Sequence, residues 1–201
     1  MRFPISYWLI YLRMLLGPLL CLLCYLKVPA FPFFAVLIVL LGLLSDIFDG
    51  INARRQGISE ERLRRMDSMA DQLFFICIAL TTYFTSREFY QHHTLEVLLL
   101  LSSEALIYLV SYCRFQRGVA THSIGAKLWT LFLTATLIEL FIRNKSGWLF
   151  QVTIWLGIAT RLEILGILIV VTSWAHDVPS IWHAWKLRKG LPVKRHKLFN
   201  G

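Results

Sequence analysis

Charge is scarce in this sequence. Of its 201 residues 16% are charged and 57% are hydrophobic, a balance too apolar for an ordinary soluble domain. Long polar stretches are lacking as well. Low-charge runs fall near residues 7–27, 30–48, 72–86, 94–113, 124–142 and 147–177. A spanning helix takes ~20 residues, so six spans consume ~120 and leave no room for a separate soluble domain. The last run is over-long and holds Arg161 and Glu163. It reads as a short outer segment followed by a span from about residue 162. Cysteines are few, at positions 21, 24, 77 and 113, all in or beside apolar runs. Cys21 and Cys24 have neither a second pair nor a histidine cluster to complete a tetrahedral site. They read as helix packing residues rather than metal ligands or a disulfide. A cleaved leader is also poorly supported: Val28-Pro29-Ala30 loosely resembles a cleavage site, but Arg13 interrupts the run before it. Internal repeats, which many transporters carry, are not evident.

Positive charge is what the chain does have, with a net of +9. Such a balance suits nucleic acid or a membrane surface, and its distribution decides between them. The apolar runs alternate sides. Sixteen basic residues then fall on the side that carries both termini, the 46–71 stretch and the 114–127 loop. Four fall on the other: Lys27, Arg87, Arg143 and Lys145, with Arg161 at an interface. That asymmetry follows the positive-inside rule and makes the basic side cytoplasmic. A basic cytoplasmic face also suits anionic headgroups and a nucleotide diphosphate, and no nucleic acid is called for.

The most informative stretch is DIFDGINARRQGISEERLRRMDSMAD, residues 46–71. It holds Asp46 with Asp49 and Asp67 with Asp71, spaced i,i+3 and i,i+4, so each pair shares one helix face. An apolar run ends at Asp46 and another starts just after Asp71. A charge at bilayer depth costs at least ~2.5–3.5 kcal/mol. Two facing carboxylate pairs would also repel unless cations sat between them. Asp oxygens are natural ligands of Mg2+ or Mn2+. These residues therefore point to a two-metal site at a membrane surface.

The same stretch resembles the CDP-alcohol phosphotransferases, membrane enzymes of phospholipid synthesis, whose pattern is D-x2-D-G-x2-A-R-x8-G-x3-D-x3-D. Asp46, Asp49, Gly50, Ala53, Arg54, Asp67 and Asp71 meet seven of its eight fixed positions. Leu63 stands where the family has glycine. The resemblance implies that an alcohol hydroxyl attacks the lipid-side phosphate of a CDP-alcohol such as CDP-diacylglycerol, and that CMP leaves. It implies that Asp46, Asp49, Asp67 and Asp71 hold two Mg2+ or Mn2+ ions and that Asp71 is also the general base. Asp49, Gly50, Ala53, Arg54 and Leu63 would line the nucleotide site, with Arg54 on the diphosphate and Leu63 crowding the nucleotide. A homodimer is implied by the family alone.

Further matches are partial. Glu104 sits mid-depth in the fourth run, where an intramembrane acid is a functional candidate by default and a packing acid is the alternative. Phosphatidylglycerophosphate synthases have an Arg-Glu pair near this position and an arginine some way after it; here Glu104 and Arg114 match. Lys127 and Thr130 match parts of a segment that opens the family's fifth span. Together Glu104, Arg114, Lys127 and Thr130 favour glycerol 3-phosphate as acceptor. Other acceptors stay open: inositol phosphate, serine, phosphatidylglycerol or an aminoalcohol. Positive-inside anchoring is the plainer reading of Lys127.

Elsewhere the residues have ordinary explanations. Residues 1–12 carry Tyr7, Trp8 and Tyr11, which suit either an interfacial helix or one long first helix with an aromatic belt. Arg13 followed by Pro18 also resembles the family's first span. Gly57 is a natural end for the second helix and Ser59 a candidate N-cap for the third, which should run from about 60 to 86 with Glu60 and Glu61 as first-turn residues rather than metal ligands. Residues 86–93 form an outer loop whose His92 and His93 are solvated. His122 and Ser123 suit a helix cap. His176, Asp177 and His183 lack a helical ligand spacing.

The reading is thus an all-α polytopic membrane bundle of about six spans. Residues 1–185 form one domain and 186–201 a basic cytoplasmic tail. The setting is a bacterial inner membrane with the active site on the cytoplasmic side. A transporter would spread its acids over several spans, and a scaffold would have no reason for four aspartates at this spacing.

Overall fold

The computed structural model describes residues 5–56, 61–117, 124–173, 178, 180–189 and 191. Among these all regular structure is helical: α1 (Ile5–Tyr25), α2 (Phe31–Gln56), α3 (Glu61–Thr85), α4 (Arg87–His92), α5 (Thr94–Phe115), α6 (Ile124–Arg143), α7 (Trp148–Val170) and α8 (Ile181–Arg188). Six of them, all but α4 and α8, are long and apolar enough to cross a membrane. The expected all-α membrane architecture with six spans is the one found. Large apolar side chains such as Trp8, Leu15, Phe33, Phe84, Leu95, Trp148 and Trp155 are exposed, as spans require when the surrounding solvent is lipid.

The chain divides into two compact units. The first comprises Met1–Tyr90 and Leu137–Ser146. Here α1 packs against both α2 and α3. Apolar association gains little inside lipid, so close approach between small residues carries such contacts. Gly17 of α1 provides one. A Cβ there would lie 3.2 Å from Cys77 Cβ and 3.3 Å from Phe74 Cα. Gly42 of α2 provides another, because the Phe74 ring of α3 occupies the place of its missing side chain. A Cβ on Gly42 would lie 2.1 Å from Phe74 Cζ.

Several hydroxyls of this unit are bonded internally, as a membrane interior demands. Thr81 and Thr85 return their hydroxyls to the carbonyls of Cys77 and Thr81 at 2.7 and 3.0 Å. Thr82 lies 2.8 Å from the Tyr90 hydroxyl. Ser86 donates to the Leu140 carbonyl at 3.4 Å and to Asn144 Oδ1 at 3.2 Å. The cysteines are free, and Cys21 packs across to α3 with its sulfur 3.7 Å from the Cys77 carbonyl oxygen.

The second unit comprises Gln91–Thr136 and Gly147–Gly201. In it α7 packs against α5 and α8. Ile107 of α5 meets Ile164 and Leu168 of α7 in one buried cluster. Ile167 and Val171 meet Val178 and Ala184 in another. Thr136 and Thr153 pair through their hydroxyls at 2.7 Å.

Three sequence expectations change. Residues 87–92 are a short helix rather than a loop, and Phe89 on it is buried; one buried aromatic in six residues is too little pattern to read as a helix. His93 is not a solvated loop histidine. Its Nδ1 lies 3.2 Å from Glu96 Oε1 and its ring centroid 4.6 Å from that of Phe150. The last span is not delayed to residue 162, since α7 runs unbroken from Trp148 to Val170. It passes through Arg161 because that charge is neutralised inside the unit. At the N-terminus Ile5–Tyr25 is one continuous helix, the long-first-helix alternative. Gly57, Ser59, Glu60, His122, Ser123, His176, Asp177 and most of the basic tail lie outside the described residues.

Candidate active site

Two helices deliver the carboxylates. The apolar run of α2 positions Asp46 and Asp49 one turn apart near its C-terminal part, and α3 carries Asp67 and Asp71 near its start. Carboxylate oxygens of Asp46, Asp67 and Asp71 all lie within 4.8 Å of one another. Asp49 is buried beside them. Such crowding of like charge needs a cation, and α1 supplies one. Arg13 is fully buried, and its side chain forms ion pairs with all four aspartates. Nη1 donates to Asp46 Oδ1 at 3.0 Å and to Asp71 Oδ1. Nη2 donates to Asp67 Oδ1 at 2.5 Å and lies 3.7 Å from Asp49 Oδ2.

The packing of α1 on α2 and α3 is what brings these groups together. Ile10, one turn before Arg13, is buried against Leu63 and Ala70 of α3, with Tyr7, Met14 and Met66 around them. Leu63 therefore fills the seam between α1 and α3. Gly50, Ala53 and Arg54 continue α2 beyond Asp49.

The donor set fits a divalent cation. Its ligands are hard carboxylate oxygens, the type that Mg2+ and Mn2+ take. A guanidinium already sits among them, so the position is one where the fold places positive charge.

The second unit holds the other candidates. Glu104 of α5 is bonded to a residue that sequence reasoning left at an interface: Arg161 of α7 donates to its Oε2 from Nε at 2.9 Å, with Nη2 at 2.8 Å. The Arg161 guanidinium also lies 3.7 Å above the Trp129 ring, a favourable cation–π geometry. Trp129 in turn donates Nε1–H to the Thr153 carbonyl at 3.0 Å. Arg114 donates to the carbonyls of Ile169 and Val171 at 2.7 and 3.0 Å, which satisfies the open end of α7. Thr130 donates to the Ala126 carbonyl at 3.0 Å, and Lys127 is exposed on α6.

Sequence reasoning assigned no site role to Arg13 or Arg161. The available signal was the same for both. Each is a lone cation within an apolar helix, and such a residue needs a partner on another helix. For Arg13 the need is plainest, because α1 contains no acid.

A membrane protein with a carboxylate cluster on two adjacent spans is the class that this fold and site define. Residues 3–182 match the family model of CDP-alcohol phosphatidyltransferases, and the chain belongs to that family. Membership makes it a transferase of phospholipid biosynthesis that moves a phosphatidyl group from a CDP-alcohol, in a family that uses divalent metals. No curated protein and no solved structure matches the chain.

Proposed function

We propose that this protein transfers the phosphatidyl group of CDP-diacylglycerol to glycerol 3-phosphate and releases CMP, yielding phosphatidylglycerophosphate. The observation that carries the reading is the convergence of Asp46, Asp67 and Asp71 from two membrane helices within 4.8 Å. Asp46, Asp49, Asp67 and Asp71 would hold two Mg2+ or Mn2+ ions. Bound there, such ions would supply positive charge to the diphosphate and the departing CMP.

In the reaction a hydroxyl oxygen of the acceptor forms a bond to the lipid-side phosphorus. The bond from that phosphorus to the bridging oxygen breaks, and CMP takes the electron pair. Asp71 accepts the hydroxyl proton, the role of a general base within hydrogen-bond reach. Gly50 and Ala53 let the nucleotide approach the helix backbone, and Leu63 borders it. Arg54 offers its planar donor fork to the diphosphate. On the acceptor side Glu104, Arg114, Lys127 and Thr130 are the candidates by position. Lys127, exposed near the start of α6, is best suited to take the acceptor's phosphate. Glu104 and Arg114 act through the helix contacts they make.

Residues 1–185 work as one membrane domain with 186–201 as a cytoplasmic tail. The active site and both termini face the cytoplasm of a bacterial inner membrane, and the enzyme is a homodimer. The sixteen-to-four division of basic residues supports this orientation. The deciding experiment gives purified protein CDP-diacylglycerol, Mn2+ or Mg2+, and a panel of acceptors, and follows CMP release. Release with glycerol 3-phosphate alone bears the proposal out; release with another acceptor keeps the chemistry and replaces the substrate.

A further inference from the structure

Arg13 is the largest fully buried side chain among the described residues. It lies in an apolar span with no acid of its own, so nothing local explains a charge there. Its guanidinium reaches from α1 to the other two helices. There it meets every member of the aspartate quartet. Its Nε has no hydrogen-bond partner among the described residues. Both terminal nitrogens are thus committed to the carboxylates, while the stem is held without a polar tether.

We infer that Arg13 is a built-in counter-cation that competes with divalent metal for the same four carboxylates. The inference rests on the metal reading of those aspartates. The four carboxylates converge on this one guanidinium, which reaches each of them within 4 Å. The carboxylate oxygens that Arg13 holds together on Asp46, Asp67 and Asp71 are also the ones close enough to share a metal ion. An arginine is suited to this task where a lysine is not. Its planar fork reaches several carboxylates at once, whereas an ammonium is a compact point charge. A guanidinium also stays protonated in proteins, so it cannot yield its place by losing a proton. The side chain must swing away from the oxygens that the metal takes, and the unbonded Nε means that no hydrogen bond at that atom resists the swing. Arg13 accordingly sets how tightly metal binds and keeps α1, α2 and α3 assembled before it does. It is a positioning residue.

The test compares detergent-purified wild type, Arg13→Gln and Arg13→Lys. Mn2+ affinity is measured by calorimetric titration, and thermal unfolding is followed in EDTA and in saturating Mn2+. Arg13→Gln should unfold at lower temperature in EDTA. It should bind Mn2+ at least about tenfold more tightly, because a unit charge a few ångströms away in a partly buried site outweighs thermal energy several-fold. Its gain in melting temperature on adding Mn2+ should exceed that of wild type, since ligand stabilisation grows with affinity. Arg13→Lys should fall between the two. Equal or weaker Mn2+ binding by Arg13→Gln overturns the proposal, for Arg13 would then be scaffolding for the metal. If Arg13→Gln does not fold in EDTA, Arg13→Lys decides: tighter binding than wild type supports competition, and unchanged or weaker binding overturns it. Absence of Mn2+ binding by all three proteins removes the metal reading itself, and with it this proposal.

Discussion

Arg161 and Glu104 share a single oxygen: Nε and Nη2 of the guanidinium approach the same Oε2 at 2.9 and 2.8 Å. The arginine is the buried partner and the glutamate is more exposed. Removing the acid strands a buried cation, whereas removing both leaves neutral side chains. Glu104→Gln should therefore cost about 1–3 kcal/mol, the range for leaving a buried donor poorly paired and below that for a fully buried ion pair. The double variant Glu104→Gln with Arg161→Met should be more stable than Glu104→Gln alone. Thermal unfolding in detergent checks this, and simple additivity of the two single variants would show that the pair is not coupled.

Metal dependence is the broadest expectation. Excess EDTA should abolish CMP release, and added Mg2+ or Mn2+ should restore it. Full turnover in EDTA would leave the aspartate cluster without a catalytic ion.

Asp71 is distinguished from its neighbours by a paired experiment. Asp71→Asn should lose most turnover, by ~10^2–10^4-fold as for other general bases, while still binding CDP-diacylglycerol at saturating Mn2+. Asp46→Asn and Asp49→Asn should instead weaken metal and nucleotide binding together with rate. Recovery of Asp71→Asn to near wild-type turnover in excess Mn2+ would make Asp71 a ligand only.

Leu63 carries two expectations with different readouts. Its side chain is buried between Ile10 and Ala70, so Leu63→Ala should destabilise the protein by ~2–5 kcal/mol, as for other buried leucines. Leu63→Gly should in addition tighten CDP-alcohol binding if the leucine crowds the nucleotide. An affinity that stays the same or weakens would show a pocket adapted to leucine.

Orientation is checked by labelling. A cysteine placed at Asn200 should resist a membrane-impermeant thiol reagent added to intact cells and react once the cells are opened. Efficient labelling from outside would reverse the assignment of sides.

The parts of this molecule that were legible in the sequence are those whose signal is local. Spans announce themselves by length and apolarity, and Asp46, Asp49, Asp67 and Asp71 by fixed spacing within 26 residues. What was not legible depends on partners far along the chain. Arg13 meets Asp46, Asp67 and Asp71 across separations of 33, 54 and 58 residues. Arg161 meets Glu104 across 57. Read alone, Arg161 suggested a break in the last span; read with its partner, it is tolerated inside a continuous helix. The six-residue α4 is shorter than two helical turns and holds one buried aromatic, too little for a periodic pattern to emerge.

The seat that Gly42 makes for Phe74 has a consequence beyond packing. Gly42 lies one turn before Asp46 on α2, and Phe74 lies one turn after Asp71 on α3. The ring therefore spaces α2 from α3 about one turn along the chain from both aspartates. A metal site tolerates little error in such spacing. The calibration of the aspartate cluster thus rests on a residue with no side chain. A single methyl group added at position 42 would be felt four residues away as a change in the bite of the site.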